Sequence, residues 1–275
     1  MTKVIMNVNA DNNSAMSVEE NGELTLKNID YVAAPLDENF VEEYSASHEG
    51  WTPKVCYGVY LKGSHAEEGV ENPPMSTLNF ESGSMLTADC SCVTTNGMDE
   101  PGSQINISGG ELKTTNSHAI YMPASGEINI SGGDVQSINM RRGKLNISGG
   151  KVSKVDYTEG QADKIWDYIN YSGLIWLGDT VAILSGSKGY IKSEGEELEI
   201  NVTGGEVEKS FGTNEPFTVY CLDTSPFNQV VRFNGVARED IKIVTHEDII
   251  AHKEYTPKSQ TKVYIGETQI YPVEE

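Results

Sequence analysis

Ile105-Asn106-Ile107-Ser108-Gly109-Gly110-Glu111-Leu112 decides how this chain folds, because the same phrase returns three more times. The copies are Ile128-Asn129-Ile130-Ser131-Gly132-Gly133-Asp134-Val135, Leu145-Asn146-Ile147-Ser148-Gly149-Gly150-Lys151-Val152 and Ile200-Asn201-Val202-Thr203-Gly204-Gly205-Glu206-Val207. Each opens with apolar and polar residues in strict alternation, the signature of a half-buried strand. The first and third residues of each copy (Ile105 and Ile107, Ile128 and Ile130, Leu145 and Ile147, Ile200 and Val202) point inward, and the Asn and Ser or Thr point outward. The glycine pair then turns the chain, since glycine accepts positive φ and close backbone approach. A second short strand follows, with Leu112, Val135, Val152 or Val207 facing in.

The spacing says how the copies combine. Ile105 to Ile128 is 23 residues, Ile128 to Leu145 is 17, and Leu78 to Ile105, counting the weaker copy Leu78-Asn79-Phe80, is 27. Propeller blades need about 40 residues, so each interval holds one turn of a solenoid. Leu24-Thr25-Leu26 reads as a further, weaker copy. The 55 residues from Leu145 to Ile200 leave room for two turns and an insertion, with Val181-Ala182-Ile183-Leu184-Ser185-Gly186 as the missing phrase. Stacking aligns like with like, which predicts two apolar ladders inside and an external ladder of Asn106, Asn129, Asn146 and Asn201 whose amides bond along the axis. That ladder is either a solvated surface or a glycan-binding strip. The predicted fold is all-β: a right-handed single-stranded parallel β-helix (solenoid). The right hand is preferred because the turns vary in length, whereas repeats stack most uniformly when every turn is the same.

Working outward, residues 1–54 are polar with acidic pairs at Glu19-Glu20 and Glu42-Glu43, and are expected to form an N-terminal arm or cap. The solenoid is expected over 55–235, starting with Val59-Tyr60-Leu61 and interrupted by an insertion near 156–178. Trp166, Tyr168, Tyr171 and Trp176 concentrate there, either as a packed plug or as a partner- or glycan-contact patch. Residues 236–275 end in a predicted β-hairpin, Thr261-Lys262-Val263-Tyr264-Ile265 and Thr268-Gln269-Ile270-Tyr271 around Gly266-Glu267.

Only 37% of the 275 residues are hydrophobic, which suits a thin solenoid core better than a ball. The net charge of −21 opposes binding to nucleic acid and to anionic membrane surfaces. No apolar run approaches a membrane span. The first residues carry no leader pattern, so the protein is expected to fold in the cytoplasm where it is made. Cys56, Cys90, Cys92 and Cys221 are too few for a disulfide scaffold, and Cys90 and Cys92 are expected on one strand face as buried thiols. His48, His65, His118, His246 and His252 show no metal-ligand spacing, so neither metal nor cofactor is expected.

The phrase resembles the right-handed β-helix repeats of phage fibre and decoration proteins and of gut-bacterial surface proteins, over roughly residues 78–207. The resemblance implies a phage virion structural protein (head fibre, capsid decoration or tail-associated), made in the host cytoplasm, forming a homotrimer and docking on another virion protein. The alternative is a glycan-binding bacterial cell-surface or adhesin module. An enzyme, a polysaccharide lyase or hydrolase, is the second alternative and is not expected. Such sites need several carboxylates converging on one face with a Ca²⁺ or an Arg or Lys base. Here the outward repeat positions are Asn, Ser and Thr, Glu196-Glu197 reads as a solvated turn, and Arg141-Arg142 shows no acid partner.

Overall fold

The computed structural model describes residues 2–6, 14–33, 38–47, 57–63, 75–88, 91–97, 102–114, 117–155, 178–249 and 252–273. These residues are all-β apart from one helix, Glu38–Ser47, and two 3₁₀ turns, Arg238–Asp240 and His246–Asp248. The strands form three rows, and within each row every strand pairs in parallel with the strand one repeat later.

Row one carries the phrase. It runs through Glu23–Leu26, Ser76–Phe80, the first half of Ser103–Thr114, the first part of Glu127–Gln136, Gly143–Ile147, Glu196–Val202, Gln229–Asn234 and Thr261–Ile265. Row two runs through Thr2–Met6, Ile29–Ala33, Met85–Ala88, the later parts of Ser103–Thr114 and Glu127–Gln136, Lys151–Ser153 and Glu206–Val207. Row three is a separate sheet of Ser14–Val18, Tyr57–Leu61, Val93–Thr95, Ile120–Met122, Ile138–Met140, Val181–Ser185, Phe217–Cys221 and Ile241–Val244. Thr268–Tyr271 folds back antiparallel on Thr261–Ile265 as the hairpin expected from the sequence.

Register is set by the alternation. Leu24, Leu78, Ile105, Ile128, Leu145, Ile200, Phe233 and Ile265 are successive partners in row one. From Leu78 to Phe233 each is fully buried. The column Leu26, Phe80, Ile107, Ile130 and Ile147 is buried beside it, closing on the half-buried Val202. Rows two and three supply the other walls of one core, with Leu86, Leu112, Val135 and Val152 from row two and Val59, Val93, Ile120, Ile138, Val181 and Phe217 from row three. Burying each such side chain stabilises the fold by roughly 1.5–3 kcal/mol. No single repeat holds enough of them to stand alone.

The glycine pair bends a continuous strand in the first two copies and separates two strands in the later two. Ser103–Thr114 continues through Gly109 and Gly110, with register shifts against its neighbour on either side of Gly132. The two glycines serve different needs. The second takes positive φ, as Gly133 does at 82°. The first has no room for a side chain: a Cβ on Gly132 would sit 2.5 Å from the carbonyl oxygen of Ser108, one repeat away.

Several expectations are corrected. Val181–Ser185 is not a missing phrase: it pairs with Ile138–Met140 and Phe217–Cys221 in row three. Both its alternate positions are buried, so it lacks the polar outer face that the phrase requires. Leu145 is the direct partner of Ile200, so the 55-residue interval is one repeat with a long insertion, not two turns. The described strands within 1–54 pair into the same sheets as the later ones, and pairing runs on past 235 to Thr261–Ile265. Their alternation is too short to read from four or five residues alone.

Candidate functional site

The outer side of row one is a flat polar surface made of columns. The expected asparagine ladder is present and longer than expected. Asn106 Nδ2 donates to Asn79 Oδ1 (2.9 Å), Asn129 to Asn106 (3.1 Å), Asn146 to Asn129 (2.7 Å), Asn201 to Asn146 (2.8 Å) and Asn234 to Asn201 (2.8 Å). Asn79 in turn donates to Glu23 Oε1 at 2.6 Å. Asn234 was missed in the sequence because its copy, Phe233-Asn234-Gly235-Val236, has Gly at the phrase's second inward position and then neither the Ser nor the glycine pair.

Beside the amides stands a column of alternating charge. Glu127, Lys144, Glu199 and Arg232 are successive Cα partners. Lys144 Nζ lies 3.1 Å from Glu199, Arg232 pairs with Glu197, and the Arg232 guanidinium sits 4.9 Å from the centre of the Tyr264 ring. The Lys144 ammonium bonded to Glu199 holds that carboxyl below the usual carboxylate range. A shallow depression of about 280 Å³ is lined by Gly126 and Gly143 and rimmed by Glu127, Lys144, Glu197 and Glu199. Two of its three carboxylates are already ion-paired, Glu199 with Lys144 and Glu197 with Arg232.

Glu196 and Glu197 are therefore not solvated turns, and Arg142 has an acid partner after all. Arg142 is fully buried, its Nε 3.0 Å from Glu196 Oε1 and its Nη1 donating to the Tyr190 carbonyl at 2.6 Å. The partners lie some 50 residues away along the chain, which is why the doublet looked isolated. Its neighbour Arg141 turns the other way. The Arg141 guanidinium lies 4.0 Å from the centre of the Tyr190 ring and 5.7 Å from that of Tyr121, with Nη1 reaching Ser187 Oγ at 3.3 Å.

Trp166, Tyr168, Tyr171 and Trp176, the aromatic patch expected from the sequence, lie outside the described residues. So do Cys56, Cys90, His48 and His65. The chain re-enters the described structure at Gly178, and Asp179 is tied down at once. Its carboxylate accepts from Thr218 Oγ1 (2.8 Å) and Tyr220 Oη (2.6 Å). Its carbonyl accepts from Ser137 Oγ (2.6 Å), which in turn lies 2.5 Å from His118 Nδ1. Because the Ser137 proton goes to the carbonyl, His118 Nδ1 must carry the hydrogen. Burial pushes the Asp179 carboxyl up to about 6 and holds the His118 imidazole down to about 3. No spacing links the members of this cluster, so sequence reasoning missed it.

The remaining singled-out residues are structural. Cys92 is buried just before Val93–Thr95, its thiol 2.9 Å from the Lys113 carbonyl and pushed by burial up to about 12. Cys221 is likewise buried and its thiol raised. His246 and His252 stack at 5.1 Å, yet both His246 nitrogens face backbone carbonyls, Leu222 at 2.6 Å and Tyr255 at 3.0 Å, fastening residues 252–255 to the end of row three. Among the described residues no group of three or more His, Cys, Asp or Glu is placed to hold a metal ion, and no helix is long and apolar enough to cross a membrane.

Fold and surface together define an all-β repeat protein of stacked parallel strands. No protein-family model, no curated protein and no solved structure matches the chain.

Proposed function

We propose that the chain is a right-handed single-stranded parallel β-helix serving as a non-enzymatic structural protein of a phage virion: a head fibre, capsid decoration or tail-associated protein. The hand follows from the rule that crossovers between parallel strands of one sheet are right-handed in about 98% of cases. The observation that carries the structural role is the asparagine ladder. Its amides bond to one another across successive repeats from Asn79 to Asn234, so the broad outer face braces the stack. The charged column beside it is also largely self-paired. A face organised in this way makes a stiff rod, which is what a fibre or decoration protein needs. The virion setting, assembly as a homotrimer and docking on a second virion protein rest on the resemblance of the repeat phrase.

Sedimentation velocity on the purified chain, followed by co-sedimentation with phage particles, tests the reading. A trimer that pellets with particles is expected. A strict monomer that ignores particles and degrades or binds polysaccharide as an isolated module contradicts it.

A further inference from the structure

We infer that His246 is a proton-operated latch: its doubly protonated ring pins the link before the final rung to the end of row three, and loss of one proton as pH rises releases that link. This goes beyond the structural reading and does not depend on it.

His246 is buried, and each of its ring nitrogens faces a backbone carbonyl: Nδ1 the Leu222 oxygen at 2.6 Å, Nε2 the Tyr255 oxygen at 3.0 Å. A carbonyl oxygen only accepts, and a neutral imidazole has one N–H. Both bonds therefore form only when the ring carries two protons and a positive charge. With one proton gone, a ring lone pair faces a carbonyl oxygen at a buried position, where an unmade bond is costly. The Leu222 bond is the shorter, so the Tyr255 side gives way. The latched chain binds a proton that the open one does not need. The latch therefore contributes fully at low pH and is lost as pH rises.

The surroundings suit one charged ring and one neutral ring. Asp223, at the corner after Phe217–Cys221, supplies the opposing charge: burial raises its carboxyl, and the bonds from Thr261 and the His246 charge draw it back down. His252 stacks on His246 at 5.1 Å with its own Nδ1 buried and unpartnered. Burial and the His246 charge hold it below the usual imidazole range. On the latch's own turn lie Glu247 and Asp248, the latter held down by Thr245 and facing Lys253. Burial pushes the Cys221 thiol up and the Tyr271 phenol of the hairpin up to about 12, so neither titrates near neutrality. The link itself is exposed from Lys253 to Lys258. Its bonds from His252 N to the Ile249 carbonyl and from Tyr255 N to the His252 carbonyl stay within the link, whereas Lys258 N and Gln260 N tie its far end to Asp223 and Asn228. Between these ends the Tyr255 carbonyl is what fastens residues 253–257 to row three.

Nitrogen NMR of the histidine side chains in the full chain at about pH 6 reads the ring directly. Both His246 nitrogens are expected to carry hydrogen, whereas His118, held down to about 3 by burial, carries one. Trypsin cleavage after Lys253 reads the link, taken at each pH relative to a free peptide of residues 246–260. That ratio is expected to rise about tenfold from about pH 6 to about pH 8.5. His246→Gln, whose amide donates from one end only, should be cleaved at the fast rate throughout and lose the pH dependence. A neutral His246 ring in the folded chain at about pH 6 would overturn the latch. So would cleavage that does not change with pH, or an equal rise in a folded His246→Gln. The NMR reading uses the unaltered chain, so it decides the matter if the variant misfolds.

Discussion

Row one and the outer side of row three both cover polar side chains, and they satisfy them in opposite ways. In row one each Asn finds its partner in the equivalent Asn of the next repeat, so one bond geometry is used over and over. On row three Asp179 gathers Thr218 and Tyr220 from a strand about 40 residues on and Ser137 from 42 residues behind, and Ser137 in turn holds His118, 19 residues earlier still. A small second core of Ala182, Leu184, Tyr220, Leu222 and Ile249 lies over the same side. The repeated surface is self-complementary and tolerates the loss of one member. The unrepeated one depends on particular residues and carries the buried ionisable groups Asp179 and His118.

The comparison can be broken first at the shared core. Leu145→Ala removes a fully buried member of the longest ladder and should cost about 4 kcal/mol, read from urea unfolding. A loss below about 1 kcal/mol would mean the repeats do not share one core. The glycine pairs sharpen it next. Gly132→Ala places a Cβ against the Ser108 carbonyl and should cost about 3 kcal/mol. Gly189→Ala, at φ 85° with nothing within 4 Å of the added carbon, should cost only about 1 kcal/mol.

The unrepeated side should show itself through pH. Asp179 moves from an ordinary value of 3.8 to about 6 on folding, so the folded chain holds that proton more tightly between these values. Its contribution therefore favours the fold on acidification below about 6 and is lost as pH rises through 6. His118 acts in the reverse sense: its imidazole falls from 6.5 to about 3, so its contribution is full above 6.5 and is lost as pH falls. The two oppose each other, and a variant is needed to separate them. Relative to wild type, Asp179→Asn should gain about 2 kcal/mol on going from pH 4.5 to 7.5. A difference that does not change with pH would remove Asp179 from the buried set. The smallest effect belongs to the ladder: Asn129→Ala breaks two amide bonds on a half-buried surface and should cost about 1 kcal/mol in thermal unfolding.

The same contrast explains what could be read in advance. Ile105, Ile128, Leu145 and Ile200 announce their pairing because partners are copies, and a copy is visible in a linear text. Their hairpin at Gly266 was legible for a similar reason, since all its contacts are local. Val181–Ser185 misled because an apolar run without an outer polar face looks like a damaged phrase, and only the covering cluster of Tyr220, Leu222 and Ile249 shows why it is apolar on both sides. Arg142 with Glu196, Arg141 with Tyr190, and Asp179 with Tyr220 were illegible because the stack joins them across 40 to 53 intervening positions with no shared pattern.

The central claim is that the chain advances by one rung for each phrase, even across the long insertion. Asn146 and Asn201 are then direct partners although 55 residues apart, with Cα atoms about 4.8 Å from each other. Oxidising a variant with Asn146→Cys and Asn201→Cys tests this most directly, because a disulfide needs Cα atoms within about 7 Å. The account predicts near-complete intramolecular cross-linking for that pair and none for Asn129→Cys with Asn201→Cys, which lie two rungs apart. Failure of the first pair with ready bridging of the second would show that the phrases stack in another order and would contradict it.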